Sequence, residues 1–160
     1  EESIEGFLKS NASESSSISI IGGPLTNEDK NYYKYLLDLY KDYENVSFIG
    51  PVPHSELVNY LKSVSFHINN TDKGFYDKSV LETSVNGIIN FYKNIDYDKN
   101  IPNKYLEFLK FDGSSDNLSE KISSIYELSH NEFLELIEYS QIKIKEESLE
   151  TLVERITKVI

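Results

Sequence analysis

The 160-residue chain contains no cysteine, which excludes disulfides, zinc–thiolate sites and cysteine nucleophiles. Its 3 histidines, His54, His67 and His130, lie far apart and form no metal-spaced cluster. No apolar run approaches the ~20 residues needed to cross a bilayer. No signal peptide opens the sequence. Bases are scarce: 16 Lys and Arg against 27 Asp and Glu leave a net charge of -11. A nucleic-acid binder carries the opposite sign to neutralise phosphates, so nucleic acid is excluded as the main partner. An anionic membrane surface repels such a chain except at a local patch.

What is present reads as one folded domain. The length suits a single domain with a real core. Hydrophobic residues make up 39% and aromatic residues 12%, which argues against disorder. The sequence opens on Glu1-Glu2 inside an apparent helix, so it reads as a piece of a longer protein.

Short apolar runs alternate with amphipathic stretches. Helical spacing is predicted for Glu2 to Ser10, then a Ser-rich linker to Ser17. Strands are predicted at Ile18–Ile21, Val46–Ile49, Val64–Ile68, Ile88–Tyr92 and, as a fifth, Tyr105–Phe111. Between them lie helices capped by Thr26, by His54 or Ser55, and by Asp77, the last stopped by Gly87. Helices over Asn117–Leu128, Asn131–Ile144 and Ser148–Val159 close the chain. This alternation predicts an α/β fold: a Rossmann-like, doubly wound sheet of about five mostly parallel strands, helices on both faces and a helical tail. Ligands of such sheets sit beyond the carboxyl ends of the strands.

The densest candidate there is Asn69 to Glu82, which joins a strand end to a helix start through Gly74. Free amides and the helix dipole suit such a junction to phosphate. Lys73 and Lys78 add positive charge, and the Glu82 carboxylate suits a ribose diol. The plain alternative is a helix capped by Asp77 with Glu82 merely solvated. Gly22-Gly23-Pro24 and Gly50-Pro51-Val52-Pro53 also follow strands. The first lacks the full spaced glycines of a dinucleotide fingerprint and, taken alone, reads rather as a tight strand-to-helix turn. Asp96-Tyr97-Asp98 has the spacing of a Mg²⁺ pair on a diphosphate, a pattern that arises by chance in so acidic a chain. His54 and His67 read as cap and core, and the tyrosines from Tyr32 to Tyr43 as packing. Strands ending in glycine rather than Asp argue against a phospho-signalling receiver.

Taken in order, three stretches, Ser17–Pro24, Asn45–Leu57 and Phe75–Gly87, together with the tail Glu146–Leu152, resemble the C-terminal half of a family 4 retaining glycosyltransferase of the two-domain GT-B type. The resemblance implies the donor-binding half of an enzyme that moves a sugar from a UDP- or GDP-sugar to a glycan or lipid-linked acceptor. The acceptor would be held by an N-terminal domain that this chain lacks. It implies that Glu82 holds the ribose, that Gly74 and Phe75 lie in the diphosphate loop, and that Val52 lies near the base. Gly22, Gly23, Lys73, Asp77 and Lys78 complete the implied binding set. The family is metal-independent and needs no cofactor; the full protein would be cytoplasmic, with room for peripheral membrane association. The chain departs from the family at Gly74, where the first acid is usual, at Thr83, where Ala is usual, and at Ile89-Asn90, where Pro-Val is common. These departures point to a second reading, a non-catalytic interaction module in a glycosylation or secretion complex. The family's first strand and its basic segment would precede Glu1, so the resemblance also implies a gap or rearranged edge in the sheet.

Overall fold

In a computed structural model of the chain, residues 1–75 and 77–146 are described. Helix α1 (Glu2–Lys9) leads to β1 (Ile18–Ile21), α2 (Asn27–Leu39), β2 (Val46–Gly50) and α3 (His54–Leu61). Then come β3 (Phe66–Asn69), α4 (Lys78–Val85) and β4 (Ile89–Tyr92). A 3-10 segment over Ile95–Asn100 precedes α5 (Leu106–Leu109), α6 (Ser115–Ser124) and α7 (His130–Glu146). The predicted helix over Ser148–Val159 and the family-like tail beyond Glu146 lie outside the described residues.

The expectation of one five-stranded Rossmann-like sheet is wrong. The strands form two separate parallel pairs, β1 with β2 and β3 with β4. No ladder joins the two pairs among the described residues. The predicted fifth strand, Tyr105–Phe111, is a 3-10 turn running into α5, and its only strand-like feature is an isolated bridge between Lys110 and Tyr92. Its apolar residues explain the error: Tyr105 and Leu109 are one helical turn apart and both fully buried, so the run obeys the helical period rather than that of a strand.

Local chemistry sets the helix starts. Thr26 accepts from the Asp29 amide while Asp29 bonds back to the Thr26 amide, closing a capping box on α2. Asp77 caps α4 by accepting from the Ser79 amide at 2.9 Å. At the other end of α4, Gly87 takes φ +77°, and the Ile88 amide reaches back to the Thr83 carbonyl.

The main core gathers around β4, whose every residue is buried, with Val80, Tyr97, Tyr105, Leu109, Leu118, Ile125 and Leu136. A smaller cluster, Ile4, Leu36 and Tyr40, joins α1 and α2 to the β1–β2 pair. Helix α2 is otherwise largely exposed, and α3 buries no residue completely. The chain is thus firmest around β4 and more open around α2 and α3.

A polar network crosses this core. His67 on β3 and Asn90 on β4 are register partners, and His67 Nδ1 lies 2.7 Å from Asn90 Oδ1. Asn90 Nδ2 donates to the Ile88 carbonyl and to Ser84 Oγ, which fixes the amide with Oδ1 toward the histidine. His67 must therefore donate from Nδ1. Thr83 Oγ1 also lies 2.7 Å from Asn90 Oδ1, so Thr83 and Asn90 meet in one network.

Burial pushes the His67 pKa below its ordinary value, against the smaller opposing effects of the Asn90 bond and the Asp77 charge. Below pH 6.5 the unfolded chain binds a proton that the folded chain refuses. Stability from this group is complete above that pH and falls as pH drops toward the folded pKa, by at most about 1.4 kcal/mol per unit. Urea midpoints at stepped pH should show this slope, and His67→Asn should flatten it; an identical slope in that variant would refute the assignment.

Candidate functional site

The carboxyl ends of the parallel strands carry the loops singled out by the sequence. After β1, Gly22 takes φ +129° and its amide bonds to the Gly50 carbonyl. A Cβ on Gly23 would stand 2.8 Å from Pro51 Cγ. Gly22 and Gly23 therefore press one strand-end loop against the next, and act as a tight turn rather than as a phosphate cradle.

The loop after β2 carries half-buried Val52 and leads to His54 at the start of α3. His54 Nε2 lies 3.1 Å from Glu82 Oε1 on α4. Both side chains are accessible, Glu82 at 36% and His54 at 81%. Between α3 and α4 runs a groove of about 310 Å³, lined by Leu57, Val58, Leu61, Leu81, Val85 and Asn86 beside His54 and Glu82. The structure thus brings Glu82 to the first residue of α3, two residues past Val52. Nothing in local spacing links residue 54 to residue 82, so the sequence alone reads His54 as a helix cap and not as a site residue.

The loop after β3 is tied down from three sides. Asp77 Oδ2 accepts from Asn69 Nδ2 at 3.0 Å, and its amide donates to the Tyr97 hydroxyl at 2.6 Å. The Tyr97 hydroxyl donates in turn to the Asp77 carbonyl at 3.1 Å. Burial raises the Tyr97 pKa above its ordinary value, so at neutral pH the phenol keeps the proton that bond requires. Asn94 Nδ2 holds the Phe75 carbonyl at 3.0 Å, while the Phe75 ring stays 64% exposed. Gly74, at φ +87°, gives its amide to Asp96 Oδ2 at 2.7 Å. Lys93 pairs with Asp72 at 2.7 Å. Lys73 and Lys78 are exposed and make no ion pair among the described residues.

The two carboxylates of Asp96-Tyr97-Asp98 turn to different partners. Asp96 faces the Gly74 amide, and Asp98 pairs with Lys110 at 2.7 Å. Among the described residues no three His, Asp or Glu side chains converge as metal ligands. Asp96, Tyr97 and Asn94 clasp the β3–α4 loop. An Asn closing a strand and bonding the amide two residues on, here Asp96, was the available sign of such a clasp.

Comparison of the chain with protein families, with curated proteins and with solved structures finds no match.

Proposed function

We propose that this chain binds a nucleoside diphosphate sugar and forms the donor half of a retaining glycosyltransferase. The observation that carries this is the placement of Glu82. Its carboxylate lines the groove between α3 and α4 and meets His54, the residue at which the loop after β2 enters α3. A carboxylate at the edge of an apolar groove suits a ribose diol beside a flat base. Lys78 opens α4 one turn before Glu82 and Lys73 is exposed in the loop before it, so both supply the positive charge that a diphosphate needs. In the reaction the bond from the anomeric carbon to the diphosphate oxygen breaks, and the nucleoside diphosphate leaves. The sugar passes to an acceptor hydroxyl, which gives up its proton. Positive charge at the leaving group would stabilise the departing oxyanion. A glycan or lipid-linked acceptor would be held by a separate N-terminal domain. No described helix is long and apolar enough to cross a membrane. The proposed reading carries a cytoplasmic location for the full protein, with room for peripheral membrane association.

Glu82→Ala removes an ionised acceptor of ribose hydroxyls, a contact worth about 1.5–3 kcal/mol. Calorimetric affinity for UDP or GDP should fall by about 10- to 100-fold. Equal affinity in the variant would refute the ribose role.

A second reading, a non-catalytic interaction module, has one observation in its favour. The Gly74 amide, which a diphosphate would use, already faces a carboxylate. A folded full-length protein that binds no nucleotide would decide for it.

A further inference from the structure

We propose that Asp96 is an internal stand-in for phosphate, and that its charge sets how tightly the β3–α4 loop takes a diphosphate. This rests on the donor-site reading above. The Gly74 amide points at an anion already: Asp96 Oδ2 at 2.7 Å. Glycine's freedom at φ +87° turns that amide out of the loop, where a side chain would be strained. No Cβ placed on Gly74 would meet any atom within 4 Å, so space for an incoming group exists beside it.

Asp96 is held in place by its own neighbours rather than by the loop. Its amide donates to Asn94 Oδ1 at 2.9 Å, and Asn94 Nδ2 anchors Phe75. The next residue, Tyr97, grips Asp77 through both backbone groups. The clasp therefore keeps its shape if the Asp96 side chain swings away. A phosphate at Gly74 must displace that carboxylate or stand beside it, and two anions at hydrogen-bond range repel each other. Among the described residues Lys73 and Lys78 make no ion pair, and they remain for the phosphate once Asp96 has moved. Asp96 thus favours ligands whose remaining contacts outweigh the exchange, and disfavours free phosphate or pyrophosphate.

Asp96→Asn tests the charge alone, because the amide oxygen can still accept from Gly74. Binding of uridine, UDP and inorganic pyrophosphate is measured by calorimetry in the wild type and the variant, with amide NMR following Gly74. The variant should bind UDP and pyrophosphate at least tenfold more tightly and leave uridine affinity unchanged, a split that general loosening of the loop would not produce. Wild-type binding of UDP with no gain in the variant would overturn the role of Asp96 and leave the donor site standing. A parallel change in uridine affinity would overturn it as well, since the effect would not be specific to phosphate. Failure of both proteins to bind UDP or uridine would overturn the donor-site reading and this inference with it. Asp96→Ala, with a thermal unfolding curve for each variant, guards against an amide that merely replaces one contact by another: it should show the same phosphate-specific gain.

Discussion

Leu118→Ala should lower the free energy of unfolding by about 2–5 kcal/mol. Leu118 lies on α6, is 0% exposed and belongs to the main core. Its side chain fills the space left by Gly6 on α1: a Cβ on that glycine would stand 2.7 Å from Leu118 Cδ2. The two helices can approach only because one partner is glycine and the other is large enough to fill the gap. Truncating Leu118 removes buried apolar surface and leaves a void that two packed helices cannot close fully. Domains of this kind hold about 5–15 kcal/mol in total, so the loss is a large fraction of it. Urea titration read by circular dichroism gives the number. A loss well under ~1 kcal/mol, the range of an ordinary surface change, would show that α1 and α6 do not pack as described.

Asn90→Val should cost about 2–4 kcal/mol although it nearly conserves volume. Three groups lose their partner: His67 Nδ1–H, the Ser84 hydroxyl and, in part, the Ile88 carbonyl. Thr83 is less affected, because its hydroxyl also reaches the Ser79 and Val80 carbonyls. Combining Asn90→Val with Thr83→Ala should show a coupling of about 0.5–3 kcal/mol, since the two side chains touch. Strict additivity in that cycle would separate the two residues. A buried Asn on β4 needs an acceptor or donor on α4, and Thr83 supplies one that Ala would not.

Much of the local structure was legible in the sequence. Thr26 and Asp77 cap their helices, Gly87 ends α4, and four of the strands stand where alternation put them. Those features depend on neighbours a few residues apart. The sheet did not follow, because strand pairing depends on contacts across the fold: β1 and β3 each have one partner, and no ladder joins the pairs among the described residues. Tyr105–Phe111 misled because a short apolar run fits a buried strand and a buried helical turn alike. At the candidate site, residues Asn69–Glu82 were visible as a strand-to-helix junction. The contacts that govern it, Asp96 on Gly74 and His54 on Glu82, span 22 and 28 residues and left no local pattern.

The measurement that tests the central claim most directly is a titration of the protein with UDP, GDP and their sugars, followed by amide NMR. The account predicts localised shifts from Gly74 to Glu82 and around Val52 and His54, with one nucleotide clearly preferred. Silence of those amides at millimolar nucleotide in the full-length protein, while it remains folded, would contradict it.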